Sequence, residues 1–162
     1  MSCITEILKV KGDKPYLVKK HLAVETGGTY KNYEYLITFT NRGHRCGYVA
    51  INKNHPLHGK DLMGVDSFID LEVHGGVTFN KPGKHVIDAV LEKSDCDDIW
   101  IGFDAIHSAD RPDFDLAGKL WSNKISESYK DCWLDGKIRS KIYMERECKK
   151  LIEQLIKFEE TK

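Results

Sequence analysis

Titratable side chains follow directly on an apolar stretch in the segment DIWIGFDAIHSADRP, which begins at Asp98. Asp104, His107 and Asp110 come at intervals of three residues after a run that ends at Phe103 and has the character of a buried strand. If the chain turns helically there, the three side chains could converge, although three-residue steps spread them over more than one helical face. A carboxylate beside an imidazole suits a divalent metal ion, or a general base oriented by its neighbour.

A structural interpretation of these residues stays open. Asp104 would then cap a helix or a turn, His107 would be partly exposed, and Asp110 would form a surface ion pair with Arg111. The spacing alone does not decide between this interpretation and a site.

A second polar segment, DLEVHGG, begins at Asp70. In a strand, the two-residue period places Asp70, Glu72 and His74 on one face, where a solvent-facing edge strand would explain the two acids as well as a site would. His74 differs because two glycines follow it. Gly75 and Gly76 allow a turn with positive φ, or close approach of a ligand to the backbone.

A third segment, NHPLHGK, offers His55, His58 and Lys60. An HxxH pair alone is a weak zinc signal, and a loop of this composition could instead meet a phosphate or carboxylate as a cationic rim. The glycines form no GxGxxG or GxxxxGK(S/T) motif, which excludes the common dinucleotide and nucleoside-triphosphate folds.

Five cysteines are scattered along the chain without a CxxC pair: Cys3, Cys46, Cys96, Cys132 and Cys148. We expect them to be thiols in the core or on the surface, and not disulfides or zinc ligands. Cys46 has basic neighbours that could lower its thiol pKa, but its place in a predicted strand favours packing.

Composition limits the partners of the protein. Lys plus Arg and Asp plus Glu number 25 each, so no net charge favours nucleic acid or an anionic membrane. No apolar stretch is long enough for a membrane span, and the first residues lack the apolar region of a signal peptide. We therefore expect a cytoplasmic protein, with residues 1–162 forming one domain.

Apolar periodicity predicts strands before helices. The predicted strands lie in residues 15–25, 33–39, 46–51, 68–73, 86–91 and 99–103. The first of these could also be a short helix capped by Asp13, and we expect Gly27 and Gly28 to form a turn. A short helix or irregular segment follows Pro112, and residues 137–158 form an amphipathic helix whose apolar face is Ile138, Ile142, Cys148, Leu151, Ile152, Leu155 and Ile156.

These elements predict an α+β fold, a mainly antiparallel twisted sheet packed on a long C-terminal helix. We expect loops 52–66, 74–78 and 104–113 to gather at one end of it.

The segments CGYVAINKNHPLHGKDL, DLEVHGGVTF and IWIGFDAIHSADRPD, in this order and before a C-terminal helix, resemble a functionally uncharacterised family of small phage and bacterial proteins. The motifs that carry the resemblance are HPLxGK, VHGG and GFDxxHxxD. The matching positions are Gly47, Tyr48, His55, Pro56, Gly59, His74, Gly75, Gly76, Phe103, Asp104, His107 and Asp110. The resemblance implies a phage-type domain, which would act in the host cytoplasm, and it implies no activity.

The leading functional hypothesis is a small hydrolase that acts on a phosphorylated or nucleotide-like molecule. His74, Asp104 and His107 would be catalytic, and a divalent metal ion, if used, would be bound by Asp104, His107 and Asp110. The substrate-binding residues would be His55, Gly75, Gly76, Tyr48 and Lys60. The alternative is a phage counter-defence protein without catalysis, which sequesters a small signalling nucleotide or blocks a host defence protein.

Overall fold

An antiparallel sheet of six strands forms the centre of the fold, in a computed structural model that describes residues 2–63, 69–93, 95–122 and 124–160. The strands are β1 (Leu17–Val18), β2 (Leu22–Tyr30), β3 (Tyr33–Thr40), β4 (Arg45–Ile51), β5 (Phe79–Pro82) and β6 (Ile99–Asp104). Their order in the sheet is β1-β2-β3-β4-β6-β5, and each neighbouring pair is antiparallel. The α+β class with a mainly antiparallel sheet is confirmed.

Helices cover both faces of this sheet. The helices are α1 (Cys3–Lys11), α2 (Lys84–Leu91), α3 (Phe114–Trp121), α4 (Glu127–Asp131) and α5 (Lys141–Glu160). Alternate strand residues such as Ile37, Val49 and Ile101 face the C-terminal helix α5, whereas Leu36 and Trp100 belong to a second core with α1 and α2. The long C-terminal helix is confirmed, and the helical layer on the other face was not predicted.

The apolar run in residues 86–91 forms α2 and not the predicted strand. Val86, Ile87 and Val90 are spaced so that they lie on one side of a helix, and all three are buried in the core with α1. A short apolar run fits both periodicities, and here tertiary packing decides.

The segment predicted as a strand in residues 68–73 is irregular over its described part, residues 69–73, and Phe68 lies outside the described residues. In place of a neighbouring strand, the side-chain amide of Gln154 on α5 pairs with the backbone of this segment. Its oxygen accepts from the backbone N–H of Glu72 at 2.7 Å, and its nitrogen donates to the carbonyl of Glu72 at 2.7 Å. Leu71 and Val73 are buried beneath the helix, so the segment follows α5 and not the sheet.

Residues 15–25 are extended in part, as the strand interpretation predicted, but they do not form one strand: the chain reverses at residues 19–21, between β1 and the antiparallel β2. Gly27 and Gly28 do not form the predicted turn, because β2 continues through them to Tyr30. The chain turns instead at Lys31 and Asn32, which have φ of 48° and 71°.

The prediction that no cysteine forms a disulfide is wrong. Cys3 in α1 is bonded to Cys96, which precedes β6, with 6.2 Å between their Cα atoms. Cys46, Cys132 and Cys148 are free thiols. The pairing joins segments 93 residues apart, a proximity that residue spacing does not show.

The C-terminal helix α5 begins four residues later than predicted. Met144, Cys148, Leu151, Ile152 and Leu155 are its buried residues. Ile138 precedes the helix and Ile142 lies in its first turn, and they are 45% and 58% exposed, so the prediction that both are buried is wrong. None of the described helices has the length and apolar character needed to cross a membrane.

Candidate functional site

His74 forms hydrogen bonds through both ring nitrogens. Nε2 lies 2.9 Å from Oδ2 of Asp110, and Nδ1 lies 2.8 Å from the hydroxyl oxygen of Tyr143. Asp110 is only 1% exposed, and its other oxygen, Oδ1, accepts from Nε of Arg139 at 2.8 Å. A continuous chain of hydrogen bonds thus runs from Tyr143 through His74 and Asp110 to Arg139. We call these four residues the His74 network.

Asp110 is held as a carboxylate. Burial alone would raise its pKa, but hydrogen bonds from His74, Arg139 and the backbone N–H of His107 outweigh burial and lower the pKa below its ordinary value. An ionised Asp110 only accepts, so Nε2 of His74 carries the proton. In neutral His74, Nδ1 is then the acceptor, and Tyr143 donates its hydroxyl proton to it.

Tyr143 is half-buried in the first turn of α5. Burial, followed by the neighbouring carboxylate of Glu147, raises its pKa against the opposing charge of Arg139. The guanidinium carbon of Arg139 lies 5.2 Å from the centre of the Tyr143 ring. Tyr143 therefore remains a phenol at neutral pH, and its reaction as a nucleophile needs a base.

Backbone hydrogen bonds position the two middle residues of the network, His74 and Asp110. The N–H of His74 donates to Oε1 of Glu147 on α5 at 2.8 Å. The strand-like bridge between Asp110 and Lys137, with N···O distances of 2.9 Å, brings the segment before Arg139 alongside the loop that follows β6. The loop that follows β6 and the helix α5 therefore meet at the imidazole of His74.

His107 and Asp104 lie beside the network. The ring centres of His107 and His74 are 6.0 Å apart. Nε2 of His107 lies 3.2 Å from Oδ1 of Asp104, but without hydrogen-bond geometry, and this buried atom has no hydrogen-bond partner among the described residues. Asp104 accepts instead from the hydroxyl of Thr78 at 2.8 Å.

Gly75 is required by its φ of +69° and by His107. A Cβ atom at this position would lie 2.0 Å from Nε2 of His107, so the imidazole packs against bare backbone. Gly76 also has a positive φ of +80°, but a Cβ atom there would meet nothing within 4 Å. Gly75 therefore lies in the turn that the bond from the N–H of Gly76 to the carbonyl of Val73 closes, and it also makes the packing contact with His107. At Gly76 only the positive φ favours glycine.

The predicted metal ligands do not form a compact set. Among the described residues, the one group with three ligand atoms within 4.8 Å of one another is Cys3, Cys96 and Asp98, and its two sulfur atoms form the disulfide. Asp110 is occupied by His74 and Arg139. The assignment of a metal ion to Asp104, His107 and Asp110 stays a prediction.

His55 lies at the other end of the sheet. Because β4 and β6 are antiparallel, the loop after Ile51 and the loop after Asp104 leave opposite ends, so the expectation that all three loops gather at one end is wrong. His55 is buried: its Nε2 lies 2.7 Å from the carbonyl oxygen of Leu155, and its Nδ1 accepts from the N–H of Leu57. These contacts give His55 a structural role.

Two other predicted substrate-binding residues also lie away from the network. Tyr48 packs against Phe79 and Trp100 in the core with α1 and α2, and burial raises its pKa well above the ordinary value. Lys60 is exposed, and its backbone carbonyl accepts from the side chain of Asn80. Of the three loops expected to gather, the one that begins at His74 and the one that contains Asp104 to Asp110 therefore meet.

Burial raises the pKa of Cys46 to about 12, and the charge of Asp104 adds to this effect. The adjacent Arg45 is neutralised by Glu25, with N···O distances of 2.7 and 2.9 Å. Cys46 is therefore a thiol with packing contacts, as its place in a strand predicted.

Sequence reasoning missed Tyr143, Arg139 and Glu147. All three lie at or near the start of α5, a region to which the pattern assigned only apolar packing and solvated charge. None of the three forms a short sequence motif with His74, because they are far from it along the chain; Tyr143 is 69 residues away.

Comparison of the chain with protein-family models, curated proteins and solved structures finds no match.

Proposed function

We propose that the protein is a hydrolase that cleaves a phosphorylated or nucleotide-like small molecule, with Tyr143 as nucleophile and His74 as its base. One observation carries the proposal: a hydroxyl lies in hydrogen-bond contact with an imidazole that a buried carboxylate orients. This order of nucleophile, base and orienting acid recurs in covalent catalysis on unrelated folds.

The proposed reaction has two steps. Tyr143 transfers its proton to Nδ1 of His74 while its oxygen forms a bond to phosphorus, the bond to the leaving oxygen breaks, and that oxygen takes the proton from His74. Water then attacks the phosphotyrosine and gives a proton to His74, phosphate departs, and His74 returns the proton to Tyr143. Asp110 stabilises the imidazolium in both steps.

His107 and Asp104 are the second part of the proposed centre. The His107 side chain is 39% exposed and that of Asp104 is 22% exposed, so a ligand reaches both more readily than it reaches Asp110. We assign His107 a role in proton transfer to water or the leaving group through Nδ1, because its Nε2 is buried 3.2 Å from Oδ1 of Asp104. In a metal-assisted form of the reaction, the same two side chains are the ligands best placed to bind a divalent ion.

A binder without catalysis is the second candidate. It is favoured by the hydrogen bonds of His74: both ring nitrogens have partners within the fold, so neither is free to act on a substrate. In this form the protein sequesters a small signalling nucleotide or blocks a host defence protein, as a phage counter-defence protein would.

Incubation with p-nitrophenyl phosphate and a panel of nucleotides and cyclic nucleotides tests the proposal. Tyr143→Phe removes one oxygen and should lower hydrolysis by about 100-fold or more, because the nucleophile is lost. Tyr129→Phe, a change of the same kind at a half-buried tyrosine on α4, is the matched control and should leave the rate unchanged.

The outcomes separate the two functions. Product that forms with wild type and not with Tyr143→Phe supports the hydrolase. A thermal shift with an intact ligand supports the binder, and wild-type rates in Tyr143→Phe rule out the proposed nucleophile.

A further inference from the structure

A cavity of about 260 Å³ opens at the start of α5, and Tyr143 and Arg139 of the His74 network are part of its lining. Ligand pockets usually have volumes of some 300 to 1,000 Å³, so this cavity fits only a small molecule or one end of a larger molecule. The phenol proposed as nucleophile thus borders a space that a substrate could occupy.

The charged side chains that line this cavity are all cations: Lys137, Arg139 and Arg146. Arg139 is paired with Asp110. Lys137 and Arg146 form no salt bridge within the described ranges, although the chain has equal numbers of acidic and basic residues. The cavity therefore has, beside the side chain of Tyr143, two positive charges with no acidic partner among the described residues, a combination that attracts an anion.

The remaining lining is partly apolar. Ile138 and Ile142 are 45% and 58% exposed, and both belong to the lining together with the ring of Tyr143. Large exposed apolar residues next to polar groups are typical of ligand sites. An inorganic anion would leave these two isoleucines exposed to water, whereas a ligand with an apolar group would cover them.

We propose that this cavity is the substrate site of the hydrolase, and that its substrate class is a small phosphate ester with a flat apolar group, such as an aryl or nucleobase-bearing phosphate. Lys137 and Arg146 bind the phosphate next to the hydroxyl of Tyr143, and Ile138 and Ile142 cover the flat group. The placement of the phosphate next to Tyr143 rests on the proposed function, whereas binding of the ligand rests on the cavity alone.

Calorimetric titration with phenyl phosphate tests the cavity, using the full chain with the Tyr143→Phe substitution so that no turnover occurs. Adding Lys137→Gln and Arg146→Gln should weaken binding at least about tenfold, because charge-assisted hydrogen bonds to phosphate are lost. Lys150→Gln, an exposed cation on the same helix, is the matched control and should change the Kd by less than about twofold.

The apolar half of the site has its own test. Ile142→Ser should weaken phenyl phosphate but leave inorganic phosphate unchanged, because only the aromatic ring contacts the isoleucine. All these substituted residues are exposed, so their melting temperatures should match that of the parent.

Each outcome separates the cavity from the chemistry. Phenyl phosphate that binds through Lys137 and Arg146 but is never hydrolysed by wild type supports the cavity and contradicts the proposed function. Hydrolysis by wild type with binding unaffected in the double glutamine variant overturns the cavity assignment. Absence of phenyl phosphate binding overturns it as well.

Discussion

Replacing Asp110 with Asn removes a buried charge while keeping the shape of the side chain. Oδ1 of Asp110 accepts from Nε of Arg139 at 2.8 Å, and Oδ2 accepts from Nε2 of His74 at 2.9 Å and from the N–H of His107 at 3.0 Å. An asparagine has one oxygen and one NH₂ group, so in either orientation the NH₂ faces at least one of these donors. The less costly orientation keeps the bonds from His74 and His107 and turns the NH₂ group toward Arg139.

The loss in the free energy of unfolding follows from that orientation. A hydrogen bond to a charged group contributes about 1.5 to 3 kcal/mol, and removing one partner of a buried ion pair costs about 3 to 5 kcal/mol. The side chain of Arg139 is 18% exposed, so water partly replaces the lost partner and the lower end of this range applies. We expect Asp110→Asn to lower the free energy of unfolding at pH 7 by about 3 kcal/mol, or about 6 to 12 °C in melting temperature.

This stabilisation depends on pH in a definite direction. The pKa of Asp110 is lower in the folded protein than in the unfolded chain, where an aspartate titrates near pH 4. The stabilisation is therefore fully present above about pH 4 and is lost as the pH falls through the folded-state pKa. The difference between wild type and Asp110→Asn should shrink below about pH 4.

Urea unfolding of both proteins at pH 7 and at pH 3 measures the two effects. Asp97→Asn, at an exposed aspartate that precedes β6, is the matched control and should change stability by less than about 0.5 kcal/mol at either pH. If Asp110→Asn unfolds at pH 7 with the midpoint of that control, the buried carboxylate of Asp110 does not stabilise the fold.

The other predictions concern Gly75 and the disulfide. Gly75→Ala and Gly76→Ala incur the same positive-φ cost, about 1 to 2 kcal/mol, but only the former should shift the ring-proton NMR signals of His107, because a Cβ atom would collide with that ring. Equal shifts in the two variants would contradict the contact. Substituting Cys3 and Cys96 together with Ser should cost about 2 to 5 kcal/mol and should abolish the effect of dithiothreitol on the melting temperature. A wild-type melting temperature insensitive to dithiothreitol would argue against the disulfide.

The central strands were predictable because their signals are local. The alternation in β3, the turn residues that follow it and the apolar run of β6 each lie within ten residues. The short apolar runs were not predictable, since the segment of α2 fits a strand as well as a helix until it packs against α1. The structure of the segment at Glu72 was not predictable either, because its partner is the side chain of Gln154 and not a strand.

The site was predictable only in part, for a related reason. Loop composition selected His74, Asp110 and His107, and strand direction excludes His55 from their neighbourhood. Tyr143 could not be found in this way, because its contact with His74 depends on how far along the sheet α5 begins. A helix shifted by one turn would present another residue to the imidazole.

The loop that presents His74 is held mainly by α5 in place of a neighbouring strand. Tyr143, Glu147 and Gln154 are spaced by four and seven residues, which places them along one face of the helix, and each contacts the segment from Glu72 to His74. Two of these contacts satisfy backbone groups that a sheet would otherwise pair. The imidazole and the phenol therefore share one rigid support, so the helix that aligns the loop also fixes the distance between the proposed base and nucleophile.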